Sequence, residues 1–393
     1  MKTNWAGNVA YSATRFASPT SLSELHAVVN ESAQVHVVGA GHSFSRVADT
    51  PGTLASLEAM PREFRVGDTV HVSAGMRLAE LATRLHAAGL ALPTMPSLPH
   101  ITVAGAVATA THGSGDAHGS LASSVRSFTL LSGRIAEPGA VVSLGALGVV
   151  TSVELEAVPA FEVEQHVWET VPWEVLLGHL DEIFASAYSV SAFVSWPAGA
   201  RLWVKRRVSD PPAELGWTGA VRATSPRHPV PGQPADSCTQ QLGVPGPWHE
   251  RLPHFRADFT PSVGDELQSE YFVPRTRAVA ALRALSALGE EIMPLLLACE
   301  LRTVAADEAW LSPAHATPSL AVHFTWRPDE PAVRALLPRV EEALDPRPHW
   351  GKLFTLNDLA TRYDRWADFT ALLREHDPDG KFRNAFIDHH FPR

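Results

Sequence analysis

The chain has 393 residues, 45 % hydrophobic and 19 % charged, the profile of a globular protein with a large core and not of a disordered one. Its net charge of −10 argues against a nucleic-acid partner, because holding phosphates requires a basic surface. Two cysteines, Cys238 and Cys299, are too few for a disulfide framework or a zinc site, and no apolar run reaches the roughly 20 residues that span a bilayer.

The N-terminal stretch has no apolar leader-like segment, so a soluble, cytoplasmic chain with free thiols and no metal is expected. No apolar stripe stands out for self-association, and a monomer is expected. The length suits two ordinary domains.

The first third alternates short strands and helices. Pro19 to Asn30 predicts a helix capped by Thr20 or Ser21, with Leu22, Leu25, Val28 and Val29 on one face. Gln34 to Val38 reads as a strand entering the turn Gly39-Ala40-Gly41. Val70 to Ser73 is a second strand. Arg77 to Ala88 is an amphipathic helix ended by Gly89.

Pro93 to Gly119 is rich in Gly, Ala, Thr, Ser and His. Small residues let backbone approach a ligand closely, so this stretch is either a cofactor contact or a plain surface loop.

From Ala160 the texture changes to longer strands: Val163 to Trp168, Ser191 to Trp196 and Arg201 to Val208. Helices are expected over Trp173 to Ala187, Arg275 to Leu288 and Arg365 to His376. Pro211 to Pro247 reads as an irregular excursion. The cluster Lys205-Arg206-Arg207 reads as a solvated strand end. A domain boundary is placed near Pro159.

The sharpest motif is VVGAGHSFSRVADT, Val37 to Thr50. A strand followed by Gly-x-Gly and His-Ser offers successive backbone N–H groups to a pyrophosphate. It is not the dinucleotide fingerprint, whose third glycine would fall at Phe44. By itself, His42 is either a nucleophile toward a cofactor or a satisfied core histidine.

This motif, with SLPHITVAGAVATATHGSG (Ser97 to Gly115) and SLGALGVVTSVEL (Ser143 to Leu155), resembles the vanillyl-alcohol oxidase family of flavoproteins, in its branch of sugar-lactone and alditol oxidases. The runs PGPWHERLPHFR (Pro245 to Arg256) and ELQSEY (Glu266 to Tyr271) extend the resemblance over nearly the whole chain.

The resemblance implies an α+β protein: an FAD-binding domain of two α+β subdomains over residues 1–159, a substrate domain with an antiparallel sheet and flanking helices over 160–356, and a C-terminal segment, 357–393, packing back near the FAD domain. It implies FAD attached covalently through His42. The turn Val37, Val38, Gly39, Ala40, Gly41, His42 and Ser43 would take the diphosphate. Thr102, Gly105, Thr109, Ala110, Thr111 and His112 would line the flavin and ribityl chain, and Val149 or Val150 would meet it through backbone.

It also implies a polyol site of Ser97, Glu300, Arg302, His323, Thr325 and Lys352. Glu300 and Arg302 share a strand face in CELRTV, which without the family is also an ordinary ion pair. Lys352 and His323 are the candidates to receive the hydroxyl proton or to stabilise the alkoxide. The implied reaction oxidises a terminal CH₂OH, sends a hydride to flavin N5 and reduces O₂ to H₂O₂.

Two departures stand out. Leu131 to Ser143 is shorter than the branch leads one to expect, and Pro96 replaces a smaller residue beside Ser97. A dehydrogenase using another electron carrier, a sugar or lactone oxidase, and a redox-inert carbohydrate binder are the competing readings.

Overall fold

In a computed structural model, which describes residues 2–196, 198–259 and 266–393, the alternating first third builds two small sheets. Arg15–Ala17, Thr53–Ser56 and Val35–Val38 form a parallel sheet with Thr53–Ser56 in the middle. Phe64–Val66, Val70–Ser73, Val150–Leu155, Val125–Leu130 and Gly133–Ile135 form an antiparallel one in that order.

The first helix runs Leu22–Glu31. Its N-cap is Ser21, whose hydroxyl accepts from Glu24 N at 3.2 Å. Thr20 helps from one position earlier, holding the Glu24 carboxylate. The second runs Leu78–Ala87 and buries Leu78, Leu81, Ala82 and Leu85, as its periodicity demands. The Leu131 to Ser143 region closes a tight hairpin, pairing Gly133–Ile135 with Val125–Leu130, and then makes a single 3₁₀ turn.

The second half is organised by one large sheet, of nine strands among the described residues. Its order is Val221–Arg222, Glu162–Val171, Gly199–Arg207, Ser189–Ser195, Leu296–Val304, Ser319–Trp326, Leu267–Pro274 and Arg347–Pro348, with Gly246–Pro247 paired to Glu162–Val171. Helices Ala278–Ser286 and Glu330–Leu344 cover one face, where Leu282, Leu285, Val333, Leu337 and Val340 meet Leu301, Val322 and Phe324. The two central strands are buried on both faces, one against the helices and the other carrying Glu300, Arg302, His323 and Thr325.

Two expectations need correction. Trp173 to Ala187 is not one helix but two short ones, Trp173–Gly178 and Leu180–Phe184, broken where His179 leaves helical geometry. Strand Gly199–Arg207 is interior to the sheet, so Lys205 is not solvated: it is buried, with its amine on Leu252 O, Pro253 O and His254. Arg206 is tied to Glu164 at 2.7 Å. Trp203, Trp248, Trp326 and Trp350 are fully buried and serve the core.

Residues 357–393 return to the first half. Helix Trp366–His376 buries Phe369 and Leu373 in the same core as Val72 and Leu81. The carbonyls of Lys381 and Phe382 hold Val35 N at 2.9 Å and His36 Nδ1 at 3.1 Å, bracing the strand that enters the glycine turn. Both cysteines are free. Among the described residues no helix is long and apolar enough to cross a membrane, and no cluster of His, Cys, Asp or Glu could hold a metal ion.

Candidate active site

A cavity of about 720 Å³ runs between the glycine turn and the buried polar face of the nine-stranded sheet. Its upper wall is backbone and small side chains. Val37, Val38, Gly39, Ala40, Gly41, His42 and Ser43 all line it, as do Ser97, Thr102, Gly105, Thr109, Thr111 and His112.

Gly39 has no room for a side chain, because a Cβ would stand 2.2 Å from Thr102 Oγ1. Gly41 turns the chain at φ +72°, a conformation that glycine adopts without steric cost.

Two expected residues do not line the cavity. Ala110, at φ 54°, is turned into the core just past helix Val103–Ala108. Val149 packs in the core with its carbonyl taken by Leu131 N at 2.8 Å, so Val150 is the member of that pair on the cavity. Pro96 also lines it.

His42 stands at the junction. Its ring stacks on Trp5 with centroids 4.6 Å apart. Both ring nitrogens are buried and make no hydrogen bond of good geometry to a described residue. Burial, reinforced by the Lys352 charge, pulls its pKa down to about 4, so the imidazole is neutral at pH 7. A buried imidazole with both nitrogens unsatisfied is costly unless something else engages it.

The floor is a row of side chains across four adjacent strands. Phe193 pairs with Glu300, Glu300 with His323, and His323 with Glu270. Period-two alternation puts Arg302 and Thr325 on the same face, one step along.

Arg302 donates through Nη2 to Glu270 and through Nη1 to Ser97 Oγ at 3.3 Å, while its Nε lies 3.8 Å from Glu300. Glu300 instead takes its close contact from His254 Nε2, at 2.7 Å. The plain Glu300–Arg302 pair is therefore replaced by a chain, because each group has a nearer partner. His112 Nε2 lies 3.2 Å from Glu270 and His323 Nδ1 3.5 Å from it. His323 Nε2 reaches Thr325 Oγ1 at 3.3 Å. Lys352 donates to Gln268 Oε1 and lies 5.2 Å from the Phe44 ring centre.

These contacts set the charges. Burial opposes ionising Glu300 and Glu270, but Arg302 and the surrounding imidazoles outweigh it and hold both carboxyls below the usual range. Burial lowers His323 despite Glu270, and takes His254 to about 4 and His349 to about 3. It brings Lys352 down to about 8, with Glu270 pulling the other way. The site therefore holds ionised acceptors, a fixed guanidinium, neutral imidazoles and an amine that changes charge near neutrality.

The floor also contains groups to which no role was assigned from sequence. Glu270 and Gln268 come from ELQSEY, where alternation with buried Leu267 and Tyr271 was a readable signal. His254 and His349, and Lys205 behind them, carried none, since each depends on a partner distant in the chain.

Residues 13–134 match the FAD binding domain family and residues 265–390 match the D-arabinono-1,4-lactone oxidase family. The chain is 51 % identical over 408 residues to an alditol oxidase of Streptomyces sp. (strain IKD472 / FERM P-14339), covering 98 % of this chain and 97 % of that one. The chain belongs to the vanillyl-alcohol-oxidase-type family of FAD flavoproteins.

Within this flavoprotein family, an L-gulono-1,4-lactone dehydrogenase of Mycobacterium tuberculosis is 29 % identical over 98 % of this chain and 97 % of its own. A solvent-stable cholesterol oxidase shares the fold at TM-score 0.74 and 15 % identity, covering 99 % of this chain and 96 % of that one.

The residues present fit FAD. The glycine turn leaves bare backbone toward the cavity, the small-residue wall supplies a long groove, and the two orphaned nitrogens of His42 await a partner inside it.

Proposed function

We propose that this flavoprotein is an alditol oxidase that converts the terminal CH₂OH of a polyol such as xylitol or sorbitol to the aldehyde. One observation carries the reading: the cavity that begins at the glycine turn and His42 ends, without interruption, on Glu300, Arg302, His323, Thr325 and Lys352. Bound FAD would supply the acceptor for the hydride of the alcohol carbon and the route by which its two electrons reach O₂, giving H₂O₂.

The division of labour proposed is residues 1–159 with 357–393 for the cofactor, and 160–356 for the polyol. Val37 to Ser43 hold the diphosphate through backbone N–H groups. Thr102, Gly105, Thr109, Thr111, His112 and Val150 border the flavin and ribityl chain. Neutral His42 offers a ring lone pair for a covalent link.

On the floor, ionised Glu300 accepts from substrate hydroxyls and Arg302 donates, with Ser97 and Thr325 at the rim. Lys352, in its neutral form, takes the hydroxyl proton, while His323 bridges Thr325 and Glu270 and keeps that part of the floor ordered.

The test is a peroxide assay under air with sorbitol, together with the visible spectrum of pellet and supernatant after acid precipitation. H₂O₂ produced in step with polyol consumed, and yellow colour retained in the pellet, are the expected results. Yellow pellet without peroxide would mean a dehydrogenase, and colour released to the supernatant would remove the covalent link to His42. Glu300→Gln should remain yellow and lose about 10- to 100-fold in kcat/KM on sorbitol, the cost of roughly 1–3 kcal/mol for an unmatched buried polar group.

A further inference from the structure

One buried cation stands behind the substrate floor. Lys205 lies on interior strand Gly199–Arg207 and is 1 % exposed. Its amine donates to Leu252 O, to Pro253 O at 3.1 Å and to His254 Nδ1 at 3.0 Å. The other nitrogen of that ring, Nε2, meets Glu300 Oε1 at 2.7 Å. Trp203 and Phe193 flank the ring, with centroids at 4.9 and 5.6 Å.

The chemistry of this chain has one consistent assignment. An ionised carboxylate can only accept, so His254 Nε2 must carry a hydrogen. The ring is buried and neutral, so Nδ1 must accept. As the ammonium, Lys205 can only donate there, and so it selects the tautomer that grips Glu300 Oε1. The second oxygen, Oε2, takes no hydrogen bond from a described residue.

A competitor is close at hand, since Arg302 Nε stands 3.8 Å from the same Oε1. Without the grip of His254, the carboxylate is free to close on that guanidinium. The same loop also reaches the cofactor side, because the backbone N–H groups of His254 and Phe255 donate to Ser97 O at 3.0 and 3.1 Å.

We propose that Lys205 and His254 are positioning residues for polyol binding: Lys205 fixes the His254 tautomer, and His254 holds Glu300 away from Arg302 with one oxygen presented to a substrate hydroxyl. The inference rests on the reading of Glu300 as a polyol contact.

The experiment compares Lys205→Met, His254→Gln, His254→Leu, Glu300→Gln and the double variant Lys205→Met/Glu300→Gln as FAD-loaded enzymes, with sorbitol as substrate and the flavin absorbance as the check on loading. Glutamine keeps a donor toward Glu300 and an acceptor toward Lys205, whereas leucine keeps neither. His254→Gln should retain most of the parent's affinity. His254→Leu and Lys205→Met should raise KM about tenfold or more, with kcat changed less. The double variant should be no worse than Glu300→Gln, because effects through one residue do not add.

A parental KM in Lys205→Met, with KM raised in Glu300→Gln, overturns the proposal alone. An unchanged KM in Glu300→Gln overturns the substrate reading of Glu300 and the proposal with it. Should Lys205→Met fail to fold, the His254 pair decides: equal KM for the glutamine and leucine variants overturns the proposal.

Discussion

The cavity wall formed by Val37 to Ser43 and Pro96 to His112 is built from backbone and small side chains, whereas its floor is built from charged groups that touch one another. The wall works by leaving atoms out. The floor works by balancing charges, with each buried group depending on the next. The two should therefore fail in opposite ways, one to an added carbon and the other to a removed charge.

The largest expected effect is on the floor. Glu270 is buried and its carboxylate faces Arg302, His112 and His323. Glu270→Leu leaves the guanidinium with the Ser97 hydroxyl and, of the paired carboxylates, only the more distant Glu300. A loss of about 3–5 kcal/mol in stability is expected, as for other broken buried pairs, read from the urea midpoint of the FAD-loaded protein. A shift below 1 kcal/mol would mean that water or substrate-site polarity already screens this pair.

The wall should break on a smaller change. Gly39→Ala places a methyl group 2.2 Å from Thr102 Oγ1. An overpacking cost of about 1–3 kcal/mol is expected, seen as lower flavin content per chain at unchanged expression. Thr102→Ala in the same chain should restore much of the loss by removing the atom struck. No restoration would show that the turn itself, and not this contact, tolerates no Cβ.

The mildest test changes only pH. Lys352 has its pKa brought down to about 8, so its neutral fraction grows as pH rises through that value. If the neutral amine takes the substrate proton, kcat/KM for sorbitol should climb between pH 6 and 9 with a midpoint near 8. Lys352→Met should be slower and lack that limb. A limb falling with pH would mean instead that the cation stabilises the alkoxide.

The wall was far more legible in the sequence than the floor. GAGHSF and the run of small residues to Gly115 are contiguous, and adjacency in the chain carries over to adjacency in space. Even there, which residue faces the cavity depended on details such as the φ of Ala110 and the pairing of Val149 with Leu131.

On the floor, alternation alone put Glu300 with Arg302 and His323 with Thr325. It could not say that Arg302 would bind Glu270, 32 residues away, or that Glu300 would bind His254, 46 residues away. Lys205 was misread because a short basic cluster normally marks a solvated strand end. Only the position of its strand inside the sheet shows that the first member is buried.

The sequence by itself determined the element types, the glycine turn before His42 and the family, since these rest on local backbone sterics, hydrophobic period and contiguous motifs. The tertiary structure alone decided which charges meet, because strand order sets Glu270, Glu300 and His323 side by side. A buried charge takes its state from its nearest neighbours in space, and the chain records those only after it has folded.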